Sequence, residues 1–492
     1  MSDTPTSPAA PASFANATTR PELVLVVLAA GGGTRMKSSL PKPLHPVGGR
    51  PMLGHVLAAG QAAAPSVSVV VVSPFLSDID ERLRGYGITP VIQDQPLGTG
   101  DAVARVFDRP ELLPASGQML VLYGDQPLLD GETVQRLATA AGEPGRLITL
   151  LTCVLRDSSG YGRVDRDGDR PTRIVEEKDD DSARRDGPTE IWSGMMAIDI
   201  GWARDAIRNL TPSPATGELY LTQLIGMAVD QGTTDERWPV GVVRADADVA
   251  IGVNDRIQLA EAERVYRRRL VEKLMRSGVT MTDPATVYVD ADVTVGPDTE
   301  ILPNTHLRAG TTIGTGCRIG PDTSITGCTI GDGVVIRNAV LDRATVHDSA
   351  DVGPYSHVRA GTRIGPGAHV GSFGEFKNAA LGAGAKAGHF GYLGDVTIGD
   401  GANIGAGTVV ANFDGQRKHQ TTIGAGAFIG SDSVLRAPVT IGDGGVVGAG
   451  SVVTRDVAPG QTVVGMPARP VLSRRAKPDN DGEPTSGTDT KG

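Results

Sequence analysis

Cysteine and aromatic residues are scarce in this chain of 492 residues, which contains three cysteines and 4% aromatic residues. Cys153, Cys317 and Cys328 are odd in number and far apart. They therefore provide neither a disulfide framework nor a zinc-binding spacing. Such sparse cysteine is typical of a reducing compartment, and we expect a cytoplasmic protein.

Long apolar runs and an excess of positive charge are also absent. No apolar run approaches the roughly 18 residues that a membrane-spanning helix requires, so we expect no membrane insertion. The first residues lack the basic and apolar segments of a secretory signal. The 47 basic residues are outnumbered by 57 acidic ones, giving a net charge of -10. This balance argues against general nucleic-acid binding, which favours a basic surface.

Glycine, by contrast, is abundant, with 65 residues that concentrate in the last two-fifths of the chain. Apolar residues recur there every six positions in four runs, the first of which contains one five-residue step. The runs are Val295, Ile301, Leu307, Ile313, Ile319, Ile325, Ile330 and Ile336; Val346, Val352, Val358, Ile364, Val370 and Phe376; Ile398, Ile404 and Val410; and Ile423, Ile429, Leu435, Ile441, Val447 and Val453. A six-residue period predicts a parallel β-helix, in which each hexad forms one short strand and a corner.

One break in this period is informative. Val410 and Ile423 are thirteen residues apart, one more than two hexads. We therefore expect residues 411–422 to form a loop that leaves the wall of the β-helix, and such loops often bind ligands.

The first half has a different pattern, in which apolar runs alternate with helical segments. The runs are "LVLVVLAA" (23–30), "VSVVVV" (67–72), "QMLVLYGD" (118–125) and "RLITLLTCVL" (146–155), and the helical segments include 51–64 and 131–142. This alternation predicts an α/β domain with a Rossmann-like, mixed or parallel sheet covered on both faces. Ligands of such domains bind beyond the carboxyl ends of the strands.

A helix should connect the two halves, because apolar residues recur at three- and four-residue steps between 255 and 278. This stripe consists of Leu259, Ala262, Tyr266, Leu270 and Leu274. The predicted organisation is a disordered tail (1–20), an α/β domain (21–254), a linker helix (255–278), a β-helix (279–465) and a second disordered tail (466–492). Both tails are rich in small and polar residues, which leaves them little to bury.

The segment "LAAGGGTRMKSSLPKPLH" (28–45) follows the first predicted strand. Glycines beside cations predict a backbone that approaches phosphate closely. The loop is not a Walker A loop, because Met36 stands where that motif needs its second glycine. It is not a dinucleotide fingerprint either, since Gly31 and Gly33 are not followed by a third glycine at the required spacing.

Several longer motifs accompany this loop. The first half contains "QPLGTGDA", "LYGDQPLL", "GYGRV", "IVEEKD", "GELYLTQ" and "GVNDR", and the second contains "GEFKNAALGAGAKAGHFGYLGD" and "ANFDG". From about residue 22 to 458, the chain resembles the bifunctional bacterial N-acetylglucosamine-1-phosphate uridylyltransferase/glucosamine-1-phosphate acetyltransferase family. The resemblance implies a nucleotidyltransferase domain followed by a left-handed parallel β-helix.

The resemblance also implies two reactions. Acetyl-CoA would acetylate glucosamine 1-phosphate, and UMP would then pass from UTP to N-acetylglucosamine 1-phosphate. The products of the second step would be pyrophosphate and UDP-N-acetylglucosamine, a precursor of the cell wall.

For uridylyl transfer, backbone N–H groups of residues 31–34 would hold the triphosphate. By resemblance, Arg35 and Lys42 would neutralise the phosphates, and Asp125 with Asn254 would bind Mg²⁺, a hard cation that prefers oxygen ligands. The residues that match nucleotide or sugar contacts of the family are Ala29, Gly31, Gln93, Gly98, Thr99, Gly162, Glu176 and Asn254.

For acetyl transfer, His389 matches the base of the family, and histidine exchanges protons near neutral pH. Glu375 lies where a nearby carboxylate is expected. The amino-sugar phosphate contacts match Arg359, Lys377, Tyr392, Asn403 and Lys418, and the acetyl-CoA contacts match Ala406, Ser431 and Ala449. In this family the acyl site lies between the β-helices of neighbouring subunits, so the resemblance implies a homotrimer.

Three positions depart from the family pattern. Trp192 stands where the family usually has an asparagine that contacts the sugar. Asp101 stands where histidine is usual, and Gln223 where aspartate is usual. An indole in place of an amide removes a hydrogen-bond acceptor and adds bulk. The nucleotide half of the site therefore matches the family, whereas the sugar half differs from it.

Three interpretations remain open from the sequence. The first is the bifunctional enzyme itself. The second is a related enzyme with another sugar specificity, or an acetyltransferase whose uridylyltransferase site is impaired. The third is a non-catalytic regulatory subunit, against which the joint retention of Arg35, Lys42, Asp125 and His389 argues.

Overall fold

The computed structural model describes residues 22–83, 85–176, 187–214, 216–231 and 238–471. The predicted N-terminal tail, and the predicted C-terminal tail from residue 472 onward, lie outside the described residues. Contacts between Cα atoms divide the chain into two compact units, with the division between Arg267 and Arg268.

The first unit contains eleven described strands and most of the α-helices. The strands are β1 (Leu23–Ala29), β2 (Pro46–Val47), β3 (Arg50–Pro51), β4 (Val67–Val72), β5 (Thr89–Ile92), β6 (Gln118–Tyr123), β7 (Ile148–Leu155), β8 (Arg163–Asp167), β9 (Arg170–Val175), β10 (Thr189–Asp199) and β11 (Val240–Arg244). The helices are α1 (Met52–Gln61), α2 (Ile79–Arg82), α3 (Thr99–Phe107), α4 (Gly131–Ala141), α5 (Ile200–Ala206), α6 (Gln223–Asp230) and α7 (Arg256–Arg276). Short 3₁₀ helices cover Thr34–Met36, Lys42–Leu44, Pro74–Leu76, Pro110–Leu112, Ile207–Asn209 and Ala247–Ala250.

Nine of the described strands form one mixed sheet in the order β11-β7-β10-β6-β1-β4-β5, with the β8–β9 hairpin attached to β10. β1 runs parallel to both β4 and β6, whereas β10 runs antiparallel to β6 and β7. Val24 and Val26 belong to the core on one face of the sheet, and Leu25 and Val27 to the core on the other. This burial on both faces explains why the strands are continuously apolar rather than alternating.

The four apolar runs of the sequence are β1, β4, β6 and β7, and the two predicted helical segments contain α1 and α4. The mixed α/β sheet is therefore confirmed. Because β1 is parallel to β4 and β6, the loop after Ala29 and the turn after Tyr123 leave the same edge of the sheet. This edge is where the predicted ligand site should form.

α7 contains the division between the units. Ala262 of the predicted stripe is buried, but Val265 and Val271, which the stripe omitted, are buried as well. Among the described residues, no helix combines the length and the apolar character that crossing a membrane demands.

The second unit is built from short parallel strands. Their bounds are Thr280–Met281, Tyr288–Val289, Thr294–Val295, Glu300–Ile301, His306–Arg308, Thr312–Ile313, Arg318–Ile319, Ser324–Thr326, Thr329–Ile330, Val335–Ile336, Val340–Asp342, Thr345–Val346, Asp351–Val352, His357–Val358, Arg363–Ile364, His369–Val370, Gly374–Leu381, Lys386–Ala387, Gly391–Ile398, Asn403–Ile404, Thr408–Ala411, Thr421–Ile423, Phe428–Ile429, Val434–Arg436, Val439–Ile441, Val446–Val447, Val452–Val453, Thr462–Gly465 and Ala468–Pro470. One 3₁₀ helix, Pro284–Thr286, lies among them. Within the described residues they form a twelve-stranded and a seventeen-stranded sheet, which coil as a parallel β-helix.

The hexad residues point into the β-helix, as predicted. They share one buried apolar core, against which Val295 is only partly buried. Leu341, Leu381, Ala387 and Leu393 belong to the same core and fill the places where the period seemed to lapse. The lapses were coils one or two residues shorter, as the pairing of Ile325 with Leu341 illustrates.

The extruded loop lies where the sequence period predicted it. Val352 pairs with Val370, eighteen residues away, whereas Ile398 pairs with Ile423, twenty-five residues away. This coil is therefore seven residues longer than a regular one. The loop between Thr408–Ala411 and Thr421–Ile423 covers residues 412–420, within the predicted range of 411–422.

The last described residues close the β-helix with a hairpin. Ala468–Pro470 pairs antiparallel with Thr462–Gly465, so ordered structure continues past the predicted boundary at residue 465. All three cysteines are buried and unpaired.

Candidate active sites

A cavity of about 390 Å³ opens in the first unit, at the edge where β1 and β6 end. The sequence-predicted residues that line it are Ala29, Gly31, Lys42, Gln93, Gly98, Thr99, Asp125 and Glu176. Residues far apart in the chain thus meet in one place, and the volume is that of an ordinary small-molecule pocket.

Lys42 lies at the centre of the polar part of this site. Its ammonium donates to Asp125 Oδ2 at 2.6 Å and to Asn254 Oδ1 at 3.2 Å. Lys42 begins a 3₁₀ helix between Pro41 and Pro43, whose fixed backbone angles stiffen the segment. A Cβ on Gly33, whose φ is 56°, would lie 2.8 Å from the Cβ of Lys42, so only glycine allows this close approach.

Asp125 and Asn254 are held together through the backbone. The Val253 N–H donates to the Asp125 carbonyl at 2.9 Å, and the Asn254 N–H donates to Gln258 Oε1 at 2.7 Å. The end of β6 is therefore tied to the segment that precedes α7. Two oxygen atoms converge on the Lys42 ammonium and define a cation-binding point.

The glycine-rich loop runs beside the cavity. Within the part of the chain that the structure describes, no carbonyl accepts a hydrogen bond from the amides of residues 31–34. These N–H groups are available to an anion. Arg35 is exposed and lies outside the cavity lining, so the structure does not bring it to Lys42.

Gln93 and the turn at Gly98 form another wall. The Gln93 side-chain amide donates to the Gly98 carbonyl at 3.1 Å. Gly98 has a φ of 106°, and a Cβ there would lie 2.5 Å from the Leu219 carbonyl oxygen, so this position requires glycine. Thr99 Oγ1 accepts from the Leu221 N–H at 3.1 Å and so fixes the start of α3.

Glu176 and Gly162 lie side by side. Glu176 Oε1 accepts from Thr222 Oγ1 at 3.0 Å, and a Cβ on Gly162 would lie 3.5 Å from Glu176 Oε2. Tyr123 also lines the cavity, and its burial raises the pKa of its hydroxyl, which therefore stays protonated.

Of the three departures from the family pattern, only Trp192 lines the cavity. Its indole Nε1–H donates to the Met195 carbonyl at 2.9 Å, and its ring meets Tyr123 edge to face at a centroid distance of 6.4 Å. The Gln223 side chain instead forms hydrogen bonds with the backbone N–H and carbonyl of Thr211. The Asp101 carboxylate accepts a hydrogen bond from the Gln93 side chain. Of the three, only Trp192 is therefore placed to contact a ligand in this cavity.

In the second unit, several predicted residues form a cationic cluster on one wall of the β-helix. Arg359 donates to Glu375 Oε1 at 2.7 Å, and Glu375 is paired with Tyr392 on the neighbouring strand. The Lys377 ammonium lies 3.6 Å from Asp395 Oδ2. The stacking of successive coils thus brings these side chains to one wall.

The extruded loop adds Lys418 to this cluster. A hydrogen bond with Lys377, and repulsion from its charge, lower the pKa of Lys418. Asp395 also accepts from Asn378 at 2.9 Å and from Asn412 at 2.5 Å, which anchors the start of the loop. Asn412 and Asp395 were not assigned from the sequence, although "ANFDG" and "YLGD" contain them. Cations crowded in this way favour an anionic ligand such as a phosphate.

His389 is exposed between Lys386–Ala387 and Gly391–Ile398. The cavity that it lines has a volume of about 10 Å³. Asn403 belongs to the twelve-stranded sheet, where it pairs with Lys386 and Phe428, and it is not part of the cationic cluster.

The three predicted acetyl-CoA residues stack at one corner of the β-helix. The Asp432 N–H donates to the Ala406 carbonyl at 2.6 Å, and the Gly450 N–H donates to the Ser431 carbonyl at 2.8 Å. Ala449 precedes Gly450, so the three residues occupy equivalent positions on successive coils. This corner offers a column of small side chains.

The two folds and their sites define a two-part transferase, with a nucleotide-binding α/β unit and a hexapeptide β-helix. Comparison with known proteins agrees: residues 25–161 match the MobA-like NTP transferase domain, and residues 292–327 and 420–455 match the bacterial transferase hexapeptide family of six repeats.

Full-length relatives narrow this class. The chain is 39% identical to the bifunctional protein GlmU of Kineococcus radiotolerans, covering 91% of this chain and 91% of that protein. It is 44% identical to that of Stutzerimonas stutzeri (88% and 94% covered) and 42% identical to that of Streptomyces avermitilis (90% and 92% covered). The chain belongs to the GlmU family of bifunctional proteins.

Proposed function

We propose that the residues described above divide the two reactions of this family between the two units. The chain is a UDP-N-acetylglucosamine diphosphorylase and a glucosamine-1-phosphate N-acetyltransferase. The observation that carries the assignment of the first site is the convergence of Lys42, Asp125 and Asn254 at a nucleotide-sized cavity. By the resemblance we place both reactions in the cytoplasm.

Mg²⁺ fits the first site. Oδ2 of Asp125 and Oδ1 of Asn254 already share one cation, the Lys42 ammonium, and both are hard oxygen donors. Mg²⁺ is commonly bound by one or two protein oxygens together with phosphate and water. Asp125 and Asn254 would hold the ion, which would neutralise charge on the phosphates of UTP.

In uridylyl transfer, the phosphate of the sugar would attack the α-phosphorus of UTP, and pyrophosphate would leave. No protein nucleophile is needed, so the residues act by positioning and by neutralising charge. The free amides of residues 31–34 would hold the triphosphate, and Lys42 would contact the reacting phosphates. Arg35 could join them only after its exposed side chain turns toward the ligand.

In acetyl transfer, His389 would take a proton from the ammonium of glucosamine 1-phosphate. The free amine would attack the thioester carbonyl of acetyl-CoA, forming the amide bond while the thiolate of CoA leaves and takes up a proton. Arg359, Lys377 and Lys418 would bind the phosphate of the sugar. The corner of Ala406, Ser431 and Ala449 would lie against acetyl-CoA.

A homotrimer would complete this second site. The 10 Å³ cavity beside His389 is far too small for a sugar phosphate, and Asn403 belongs to the twelve-stranded sheet rather than to the sheet that carries the cationic cluster. The β-helix of a neighbouring subunit would supply the missing wall. Light scattering should therefore give three times the 51.0 kDa mass of one chain, and an active monomer would contradict this assembly.

The test of the function is an assay of the full chain with UTP, Mg²⁺ and a panel of sugar 1-phosphates, scored by pyrophosphate release. N-acetylglucosamine 1-phosphate should be the best substrate. A second candidate, uridylyl transfer to another sugar, is favoured by Trp192 in the cavity wall. A better rate with a different sugar would establish that alternative.

A further inference from the structure

The side chain of Asp101 has no place in the reactions described above, yet it is almost fully buried, with 3% of its surface exposed. It lies in the first turn of α3, where the helix dipole favours a carboxylate. Its Oδ1 accepts from Arg105 Nη2 at 2.7 Å and from Arg105 Nε at 3.2 Å. Its Oδ2 accepts from Gln93 Nε2 at 2.8 Å.

These contacts fix the direction of the Gln93 amide. Gln93 Nε2 faces two acceptors, Asp101 Oδ2 and the Gly98 carbonyl. A carboxylate and a carbonyl can only accept, so the reversed amide would place its oxygen against two other oxygens. Arg105, whose pKa is raised by its hydrogen bond to Asp101, donates to the other carboxylate oxygen, so Oδ2 is left to accept from Gln93.

The fixed amide leaves its oxygen for a ligand. Gln93 lines the cavity, and its Oε1 has no hydrogen-bond partner among the described residues. Gln93 Oε1 is not among the fully buried polar atoms without a partner, so it is accessible from the cavity. An oriented acceptor pairs with an N–H and opposes a ring nitrogen that carries a lone pair.

We propose that Asp101 is a positioning residue for base selection: it holds Gln93 with Oε1 toward the cavity, so that the site accepts a pyrimidine with a donor at N3 and rejects cytosine. This inference rests on the proposed placement of the nucleotide beside Gln93. With CTP, Gln93 Oε1 would face the lone pair of N3, and both atoms are acceptors. This mismatch at one buried contact should make kcat/KM for CTP about 10- to 100-fold lower than for UTP.

The test replaces Asp101 by its neutral isostere. In Asp101→Asn, the new side chain cannot accept from both Arg105 and Gln93, because one end of an amide is a donor. No orientation of the new amide then gives both Arg105 and Gln93 an acceptor, so the Gln93 side chain loses its single orientation. The ratio of kcat/KM for UTP to that for CTP should fall by about 10- to 100-fold.

A rescue separates orientation from general damage. In Asp101→Asn/Arg105→Met, the new amide is free to turn its oxygen to Gln93, and the UTP:CTP ratio should recover. Arg105→Met alone is the matched control and should keep the ratio of the unaltered protein. Acetyl transfer by the same samples reports whether the chain is folded.

Each outcome decides the inference. A folded Asp101→Asn protein with an unchanged ratio overturns it, and so does a reduced ratio that the second substitution fails to restore. If Asp101→Asn does not fold, Asp101→Leu/Arg105→Met removes the ion pair without stranding a charge and must also lower the ratio. An unaltered protein that releases no pyrophosphate from any nucleotide and sugar 1-phosphate would instead refute the proposed function.

Discussion

The ammonium of Lys42 lies 2.6 Å from a carboxylate oxygen of Asp125, 83 residues further along the chain. Both side chains are largely buried, at 13% and 21% exposure. The ion pair forms where two parallel strands end, which is the position that α/β sheets use for ligands.

The first prediction concerns this pair. Asp125→Asn keeps the shape of the side chain but removes its charge, so both the proposed Mg²⁺ and Lys42 lose their main partner. Pyrophosphate release should fall by about 10²- to 10³-fold. Assays over a range of Mg²⁺ concentrations measure this loss, and acetyl transfer in the same sample is the internal control. Unchanged pyrophosphate release would remove Asp125 from the site.

The second prediction concerns His389. Loss of a general base costs about 10²- to 10⁴-fold in rate, so His389→Gln should lose that much acetyl transfer while it still binds acetyl-CoA. His347→Gln is a matched control, because His347 is an exposed histidine of the same β-helix outside both proposed sites. Equal rates in the two variants would exclude His389 as the base.

The third prediction concerns sugar choice. The Nε1–H of Trp192 is already used by the Met195 carbonyl, so the indole offers the sugar an apolar surface. Trp192→Asn should raise kcat/KM for N-acetylglucosamine 1-phosphate, because an amide provides hydrogen bonds. Removing a buried indole should also lower the free energy of unfolding by about 3 kcal/mol. If kcat/KM stays the same or falls, Trp192 is compatible with the substrate as it is.

The fourth prediction concerns acid stability. His55 is buried against Tyr266, and burial lowers the pKa of its imidazole to about 4. The unfolded chain therefore binds an extra proton between about pH 6.5 and 4, so the stability of the first unit should fall as the pH drops through this window, by up to about 3 kcal/mol. His55→Phe should weaken this pH dependence. Unfolding followed at several pH values tests it, and equal slopes for both proteins would contradict it.

Much of the fold was accessible from the sequence because its periods are long and regular. The continuous apolar strands β1, β4 and β6 and the hexads of the β-helix could be recognised from the pattern of apolar residues alone. β8 and β9 were missed because their charged stretches, 163–167 and 170–175, carry no apolar run.

The sites were harder to predict, because hydrogen bonds between distant segments leave no local pattern. Trp192 could be flagged as unusual, but not its bond to Met195. Asp101 could likewise be recognised as a departure from the family pattern, but its contact with Gln93 depends on how α3 packs beside β5. The extruded loop, by contrast, could be placed from the sequence, because thirteen residues between Val410 and Ile423 interrupt a regular period.

The two proposed sites should work independently of each other within one chain. Full-length Lys42→Ala and His389→Ala proteins should each be assayed for pyrophosphate release and for acetyl transfer, with Lys37→Ala, an exposed lysine of the same loop, as a control. Lys42→Ala should lose uridylyl transfer by about 10²- to 10³-fold and keep acetyl transfer, and His389→Ala should show the reverse. An equal mixture of the two should convert glucosamine 1-phosphate, acetyl-CoA and UTP into UDP-N-acetylglucosamine. Loss of both activities in either folded variant would show that the two sites are not independent.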